Sequence, residues 1–388
     1  MLSEINKKTN KHIFIVAGEA SGDIHASHLV EAIKHRMPNV SFSGMGGEHL
    51  RKAGVHIYED LTKMAFIGVW EVITHFKEIK TIFDQTLNLI KTQKPDAVIL
   101  VDYPGFNLRL AKKIKKLGGI KVIYYVSPQV WAWKANRVFF IQKYVDRMMV
   151  FFNFEKNFYE KFGVKVDCVG HPLVDMVKPT LHADLVHEKL GLMYDRLTIG
   201  LLPGSRYKEI ESLLDPMLEA ARLLKKEFSW IQLILVKAPT ISTEQLENHL
   251  KNFDDLNMKI SEEGNYNSIN ACSVCMVASG TATLEVALLV KPMVIIYKTN
   301  LLTYLLGKML IKIPFLGLPN IIAGKSIVPE LIQFNATPEN IADEMRSMIT
   351  NEIRIADIKS KLRDVRSKLD HGGAAERAAQ IVEETLAN

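Results

Sequence analysis

The stretch IFIVAGEASGD, residues 13–23, decides the fold. Its apolar first half predicts a buried strand, and the helical pattern that follows runs through Leu29, Val30 and Ile33. A strand that passes through a glycine-bounded turn directly into a helix is typical of a ligand site, because small residues admit a ligand to the backbone and free N–H groups attract anions. Glu19 places a negative charge at this point. We therefore interpret the turn as fitted to hydroxyl groups or to proton transfer, and not as a simple phosphate site.

The rest of the chain alternates short apolar runs with helical patterns. In the first half this predicts strands at 12–17, 97–102, 121–126, 147–152 and 165–169, and helices at 23–36, 70–91, 106–117, 134–144 and 154–162. In the second half it predicts strands at 197–202, 231–236, 257–260, 274–278 and 292–297, and helices at 208–227, 242–252 and 281–289. The alternation indicates an α/β protein with parallel, doubly wound sheets.

The pattern loosens between Pro172 and Gly191, and this divides the chain into two Rossmann-like domains. We expect a first domain over 1–180, a second over 181–350 and a helical tail over 351–388. Ligands of doubly wound sheets bind outside the carboxyl ends of the strands. Two such domains in tandem therefore predict a cleft between their carboxyl ends as the ligand site.

Composition excludes several classes of protein. The 388 residues are 48% hydrophobic and 24% charged, which suits a globular protein of more than one domain. The net charge of +6 comes without a long basic run, which disfavours nucleic acid as a partner. Three cysteines favour a reducing compartment over a disulfide framework. The start of the chain is polar and long apolar runs are lacking, so we expect neither a signal peptide nor a membrane span.

The second half contains a strand–turn–helix signal of its own. The turn after the strand that ends at Ala278 is rich in small and hydroxylated residues, namely Ser279, Gly280, Thr281 and Thr283. Such a turn offers backbone N–H and hydroxyl groups to a pyrophosphate. Glu285 lies about one turn into the helix, where a carboxylate can bind vicinal ribose hydroxyls. The alternative is an ordinary capped helix that packs on the sheet.

Two charged side chains follow apolar strands. Arg206 ends the sequence LLPGSR, where its guanidinium can meet a diphosphate; the alternative is an exposed surface arginine. Asp102 follows the apolar run 97–101, where it would face the cleft as a general base. The alternative for Asp102 is a capping or turn residue before Pro104.

Two further segments carry candidate substrate contacts. The sequence SPQVWAWK, residues 127–134, contains Gln129 and Trp131, and aromatic faces suit sugar rings or acyl chains. The alternative is a packing cluster at a helix start. The triplet at 324–326 is not a phosphate-binding loop, since Pro319 stands where that motif needs glycine. Asn320 is the better candidate there, as a polar contact for a sugar or a base.

Neither of two possible metal motifs predicts a metal site. Cys272 and Cys275 have the spacing of half a zinc ribbon but lie in an apolar strand without a second pair, so core cysteines are favoured. His25 and His28 share a helix face without an evident third ligand, so packing or a solvated face is favoured.

Three segments suit a membrane surface. Residues 63–83 and 301–318 combine apolar stripes with lysines, which is typical of interfacial helices. The basic residues within 109–116 can attract anionic lipid. The alternative for each segment is a core-facing amphipathic helix with a solvated basic face.

Taken together, these motifs resemble the lipid-A-disaccharide synthase family of GT-B-type glycosyltransferases. The resemblance covers residues 12–380 approximately, with motifs in the same order and spacing at 18–23, 127–134, 169–172, 202–206, 278–285 and 318–324. The family transfers diacylglucosamine from UDP-2,3-diacylglucosamine to 2,3-diacylglucosamine 1-phosphate. The product is the β-1,6-linked lipid A disaccharide, formed with inversion, and UDP leaves. The resemblance implies two Rossmann-like domains that face a cleft.

The resemblance also implies roles for residues of the first domain. The acylated acceptor would bind near Gly18, Gly22 and Asp23, and Asp102 would deprotonate its 6-hydroxyl. Glu19 and Ser21 would orient the acceptor or assist proton transfer. The family often has a second aspartate where this chain has Gly105, and its absence here supports Asp102 as the base.

In the second domain, the resemblance implies that Arg206 and the 279–283 turn bind the diphosphate, Glu285 the ribose, and Asn320 the donor or nucleotide. It implies no cofactor and no divalent metal. The enzyme would be cytoplasmic and peripherally associated with lipids of the inner-membrane surface, because both substrates carry acyl chains. The tail would pack back on the first domain or on a partner subunit, in a possible homodimer.

Two alternative functions remain at this stage. One is another GT-B-fold enzyme that uses a UDP-sugar, such as a UDP-N-acetylglucosamine 2-epimerase or a peptidoglycan glycosyltransferase. The apolar, lysine-flanked segments disfavour the epimerase. The other is a catalytically inactive peripheral lipid-binding protein, which would have no use for both Asp102 and Arg206 at strand ends.

Overall fold

Two parallel sheets form the framework of the structure, a computed structural model that describes residues 11–64, 76–261, 265–310, 313–369 and 372–387. The chain divides into two units. Unit 1 contains Met1–Pro172 and His371–Asn388, and unit 2 contains Leu173–Asp370.

Within the described residues, unit 1 contains one seven-stranded sheet. Its strands are β1 (His12–Ala17), β2 (Ser41–Met45), β3 (His56–Glu59), β4 (Ala97–Val101), β5 (Lys121–Tyr125), β6 (Arg147–Val150) and β7 (Asp167–Cys168). They pair in parallel in the order β3-β2-β1-β4-β5-β6-β7. The strand order reverses between β1 and β4, so the open carboxyl ends of these two neighbours mark the expected ligand position.

Helices cover both faces of this sheet. They are α1 (Ala20–Arg36), α2 (Glu48–Lys52), α3 (Phe76–Gln93), α4 (Pro104–Lys115), α5 (Arg137–Tyr144), α6 (Asn153–Glu160) and the C-terminal α17 (Ala374–Ala387). All five residues of β4 are buried, as expected of a parallel strand that is covered on both faces. The apolar run that predicted this strand is therefore a consequence of its central position.

Unit 2 repeats the arrangement with a six-stranded sheet in its described part. Its strands are β8 (Thr198–Leu202), β9 (Gln232–Val236), β10 (Lys259–Ser261), β11 (Val274–Ala278), β12 (Met293–Tyr297) and β13 (Glu330–Ile332). They pair in parallel in the order β10-β9-β8-β11-β12-β13, so here the order reverses between β8 and β11.

The helices of unit 2 complete its doubly wound fold. They are α7 (Leu173–Met176), α8 (Ala183–Leu190), α9 (Tyr207–Glu227), α10 (Thr243–Leu250), α11 (Asn265–Ala271), α12 (Thr281–Leu288), α13 (Leu301–Leu310), α14 (Leu318–Ala323), α15 (Pro338–Thr350) and α16 (Glu352–Leu369). The predicted α/β fold with doubly wound parallel sheets is confirmed.

Three strands were not predicted, namely β2, β3 and β13. The sequence of β2, SFSGM, has no apolar run. Its polar Ser43 is nevertheless buried, because its hydroxyl lies 2.8 Å from Gln93 Oε1 and 2.9 Å from His12 Nε2. Position 44 requires glycine, because a Cβ there would overlap the backbone of Ile15 in β1. The strand therefore forms through neighbours that are distant in sequence.

The two units divide at positions other than 180 and 350. Helix α16 packs on α12, α14 and α15 and so belongs to unit 2, whereas α17 packs on α1 of unit 1. Arg36 of α1 and Glu383 of α17 form an ion pair at 2.7 Å. The guanidinium of Arg377 also donates to the carbonyl of Val169, at 2.6 and 2.9 Å. The last helix thus returns to the first unit through polar contacts as well as packing.

Candidate active site

Asp102 lies directly after β4, beside the turn that follows β1. Because β1 pairs with β4 up to Ala17 and Val101, Glu19 and Asp102 are brought to adjacent strand ends. Asp102 and Tyr103 have φ angles of 46° and 44°, in the left-handed region that residues other than glycine seldom adopt. Strained backbone of this kind concentrates at functional sites and persists where surrounding contacts hold it.

Three polar contacts hold the backbone of Asp102 in this conformation. The hydroxyl of Tyr124 donates to its carbonyl at 2.5 Å, and Nδ2 of Asn107 donates to the same oxygen at 2.8 Å. Its own N–H donates to the carbonyl of Tyr125 at 3.1 Å, which extends the pairing with β5. None of these bonds uses the carboxylate, which is therefore held in place and left for chemistry.

The electrostatic environment of Asp102 suits a base that works near neutral pH. Burial, the charge of Glu19 and, more weakly, the charge of Glu155 raise the pKa of Asp102 to about 7, against a hydrogen bond from the N–H of Tyr103 that lowers it. Glu19 occupies the N-cap position directly before α1, but its side chain makes no capping hydrogen bond. A general base is most effective when its pKa lies near the working pH.

Other predicted residues of the opening turn have structural partners. The carboxylate of Asp23 accepts from the N–H groups of Gly47, His49 and Leu50 at 2.7, 2.9 and 3.4 Å, and so caps α2. A Cβ on Gly18 would overlap the ring of Tyr103, which explains the glycine without a ligand. Ser21 is half-buried in the first turn of α1, and Gly22 is buried beside Val101.

The 127–134 segment follows β5. Gln129 is exposed, whereas Trp131 is half-buried and donates its indole N–H to Glu155 Oε1 at 3.2 Å. Glu155 was not among the predicted site residues, although an acidic residue inside the aromatic run FFNFEKNFY was a usable signal. Burial raises the pKa of Glu155 to about 7.

In unit 2, the carboxyl ends of β8 and β11 lie side by side. Arg206 is exposed after β8, where its Nη1 donates to Glu209 Oε1 at 2.9 Å. The other carboxylate oxygen of Glu209 accepts from the N–H groups of Ser205 and Arg206 at 2.9 and 3.3 Å. Glu209 therefore organises the turn that carries Arg206, and it was not among the predicted site residues.

The turn after β11 presents part of its surface to solvent. Gly280 and Thr281 are exposed and Ser279 is half-buried, whereas Thr283 is buried and donates its hydroxyl to the carbonyl of Gly280 at 2.7 Å. Thr283 thus shapes the turn from inside. Burial raises the pKa of Glu285 to about 7.

Asn320 lies in α14, fully buried. Its Nδ2 donates to the carbonyl of Val328 at 2.9 Å and to Glu330 Oε1 at 2.7 Å, and its Oδ1 accepts from the N–H groups of Ile327 and Val328. Four bonds use the full capacity of a side-chain amide. A ligand contact would have to displace one of them.

Cys272 and Cys275 are both buried in unit 2, next to Gly200 of β8. His25 packs edge-on against His171 with ring centroids 5.8 Å apart. No group of three or more His, Cys, Asp or Glu side chains in the described ranges is arranged to hold a metal ion.

The three segments proposed for a membrane surface have different outcomes. Most of the 63–83 segment lies outside the described residues. The basic side chains of α4 are exposed, and Lys115 pairs with Asp146 at 2.6 Å. Helix α13 carries exposed apolar side chains at Leu301, Leu305 and Met309. None of the described helices is long and apolar enough to span a membrane.

Comparisons with known proteins agree with this architecture. The chain is similar to a structure of S. aureus MnaA with UDP (TM-score 0.66, 14% identity, 97% of each chain covered). It is also similar to Acinetobacter baumannii MurG (TM-score 0.58, 15% identity, 96% of this chain and 99% of that chain). At these identities the likeness shows the fold, which is that of the GT-B glycosyltransferases.

Sequence matches are more specific. A family model described as lipid-A-disaccharide synthetase matches residues 13–385. The lipid-A-disaccharide synthase of Geobacter metallireducens is 44% identical over 377 residues, 97% of this chain and 98% of that protein. That of Coxiella burnetii (strain CbuK_Q154) is 39% identical over 374 residues, 96% and 98% of the two chains.

These features define the chain as a GT-B-type glycosyltransferase. More particularly, the chain belongs to the lipid-A-disaccharide synthase family. The resemblance given by the sequence motifs is thus confirmed, and the epimerase and peptidoglycan alternatives are not favoured.

We expect Asp102→Asn to stabilise the protein at pH 8 and to have much less effect at pH 4. The folded protein holds the Asp102 proton up to about pH 7, whereas the unfolded chain releases it near the ordinary pKa of Asp. Wild-type stability therefore falls as pH rises between these values, and asparagine removes that loss. Thermal unfolding at both pH values measures the difference. The control is Asp195→Asn, which changes an exposed aspartate. An equal effect of both substitutions would show that the folded protein does not raise the pKa of Asp102.

Proposed function

We propose that this chain transfers 2,3-diacylglucosamine from UDP to the 6-hydroxyl of 2,3-diacylglucosamine 1-phosphate, with inversion. Membership of the family supports this reaction. The observation that carries the mechanism is Asp102, a strained and poorly solvated carboxylate at the strand-order reversal of unit 1, with its pKa raised to about 7. A sugar hydroxyl is a weak nucleophile, and a base with this pKa is charged in half or more of the molecules at neutral pH and above.

The proposed reaction proceeds by one displacement. The carboxylate of Asp102 takes the proton of the acceptor 6-hydroxyl, and the oxygen attacks the anomeric carbon from the face opposite the diphosphate. The bond from that carbon to the diphosphate oxygen breaks, and UDP leaves with the electron pair. Glu19 lies at the N-cap of α1 and Ser21 in its first turn, directly after the strand that pairs with β4, and there they can orient the acceptor or assist the proton transfer.

We assign the donor to unit 2. Arg206 is exposed at the end of β8 and carries a permanent charge for the diphosphate. The exposed residues Gly280 and Thr281 follow β11, the neighbouring strand, and can offer backbone N–H groups and the Thr281 hydroxyl. Charge that develops on the leaving diphosphate is best stabilised by such fixed donors and cations. Glu285, on the helix after this turn, would accept from the ribose hydroxyls.

The direct test supplies the protein with UDP-diacylglucosamine and the lipid monosaccharide phosphate and measures UDP and disaccharide. We expect Asp102→Ala to lower kcat by about 10²–10⁴-fold, the usual contribution of a general base. Circular dichroism of the variant should match the wild type. Near-normal turnover would remove Asp102 as the base, and release of UDP without disaccharide would reject the proposed acceptor.

Arg206→Ala tests the donor assignment. We expect it to raise the KM for the UDP-sugar or to lower kcat by roughly tenfold or more, since charge-assisted bonds to a diphosphate are lost. Arg196→Ala is the matched control, because Arg196 is also exposed but precedes β8 instead of following it. Equal kinetics for the two variants would argue against a diphosphate role for Arg206.

We further propose that α13 docks on the anionic lipid surface where both substrates reside, at the cytoplasmic face of the inner membrane. Leu301, Leu305 and Met309 are spaced four residues apart and so lie on one helix face, 53%, 49% and 81% exposed. The exposed Lys308 lies on the same helix and can meet lipid phosphates. The apolar surface continues at Phe334, 69% exposed, which contacts Tyr304 of α13.

Leu305→Glu should reduce co-sedimentation with anionic vesicles at low salt, because a charge is placed on the apolar face. The control is Leu185→Glu, which changes a side chain of almost the same exposure on α8. Turnover of substrates dispersed in detergent should be unchanged in both variants. Equal vesicle binding by both variants would reject α13 as the docking surface.

A further inference from the structure

Helix α6 holds the segment that follows β5 through two buried side chains. Glu155 and Tyr159 are four residues apart and therefore share one helix face. Glu155 Oε1 accepts from the indole N–H of Trp131 at 3.2 Å, and the hydroxyl of Tyr159 lies 2.9 Å from Ser127 Oγ. One helix face therefore fixes the beginning and the middle of the 127–133 segment.

The contact with Trp131 exceeds what helix capping requires. Glu155 Oε2 accepts from the N–H groups of Phe151 and Phe152, each at 3.1 Å, which closes the first turn of α6. The second oxygen is directed at Trp131, on another element of the chain. The indole ring also packs edge-on against Phe154, with centroids 5.0 Å apart. Trp131 is thus held by one polar and one aromatic contact from the same helix.

The segment held by α6 begins with a strained residue. Val126, directly after β5, has a φ angle of 69°, which is exceptional for a β-branched side chain. Such a conformation persists where neighbouring contacts over-determine it. Val126 follows the strand that neighbours β4, whose own end carries the left-handed Asp102. The bonds to Glu155 and Tyr159 therefore stabilise a segment next to the proposed base.

We propose that Glu155 is a positioning residue for the transfer reaction: it fixes Trp131 as a wall for the acceptor sugar or its acyl chain, and it adds a second negative charge near Asp102. This inference rests on the proposed function, since it assumes that the acceptor binds beside Asp102. Trp131 itself would touch the substrate, whereas Glu155 acts through Trp131 and through its charge.

The charge of Glu155 affects the base directly. The pKa of Asp102 is raised by burial, by Glu19 and by Glu155, while Tyr124 of β5 also faces Asp102. Around Glu155 itself stand two further titratable groups, Tyr159 and Cys168. Burial raises the pKa of Glu155 to about 7, so this carboxylate is charged in half or more of the molecules at neutral pH and above, the range in which Asp102 works as a base. Loss of this charge should make Asp102 easier to deprotonate.

The test compares Glu155→Gln, Trp131→Phe and a control, Glu160→Gln. Glu160 is exposed at the end of the same helix, 3.9 Å from Lys156. We expect the first two variants to raise the KM for the acceptor by roughly tenfold, the effect of one lost charge-assisted hydrogen bond. In Glu155→Gln the acid limb of kcat/KM should also move to lower pH. In Glu160→Gln the acid limb should stay in place. Trp131→Phe keeps the Glu155 carboxylate but removes a donor that lowers its pKa, so any shift should be smaller than in Glu155→Gln. A purely structural role for Glu155 would not move the acid limb in any variant.

A second readout needs no substrate. The protein is labelled at the tryptophan indole nitrogen, and the indole N–H resonance that is missing from the spectrum of Trp131→Phe is assigned to Trp131. We expect this resonance to shift in Glu155→Gln and to stay unchanged in Glu160→Gln. Wild-type KM and an unshifted pH profile in Glu155→Gln would overturn the inference. If wild-type protein forms no disaccharide, the proposed function fails instead, and the indole resonance still decides whether Glu155 holds Trp131. If Glu155→Gln does not fold, Trp131→Phe still tests the same hydrogen bond. A wild-type KM for the acceptor in that variant would overturn the inference.

Discussion

The partial burial of a carboxyl group directly after β4 is the constraint around which unit 1 is arranged. Asp102 must stay where β1 and β4 end side by side, and its backbone is kept in a left-handed conformation by Tyr124 and Asn107. Both holding groups bond to the backbone carbonyl, so the carboxylate is not consumed by its own support. Glu19 raises the cost of the charge further. Backbone strain at Asp102 and its electrostatic repulsion by Glu19 thus occur at the same strand end. Such a combination is expected where the needs of function conflict with stability.

Unit 2 has the same doubly wound topology but carries different side chains after its strands. The order of its strands also reverses, between β8 and β11, and the turns after those two strands carry the exposed Arg206 and the exposed Gly280 and Thr281. An acidic strand end suits the removal of a proton, and a turn with a cation and free donors suits a diphosphate. In the proposed reaction, one doubly wound plan would therefore serve both halves of the transfer, and the residues after the strands would decide which half each unit performs.

The sequence allowed the central strands and the position of Asp102 at a strand end to be predicted, because both depend on local pattern. An apolar run identifies a strand buried on two faces, and a carboxylate directly after it stands at the strand end. Asp23 and Asn320 show where this reasoning stops. Their partners are N–H groups more than twenty residues away for Asp23 and in a separate loop for Asn320, so capping and ligand binding look alike in the sequence. Strand β2 was missed for the same reason, since it is stabilised by its neighbours and not by its own composition.

Two carboxylates of unit 1, the buried Glu155 and the half-buried Asp102, differ in their supply of hydrogen-bond donors. Glu155 accepts hydrogen bonds from two backbone N–H groups and one indole N–H, which offset part of the cost of its burial. Asp102 receives a hydrogen bond from the N–H of Tyr103 and is opposed by two negative neighbours. A carboxylate that is well supplied with donors is suited to hold a structure in place. A carboxylate that is poorly supplied can still gain a donor, and an acceptor hydroxyl would provide one together with the proton that the reaction must remove.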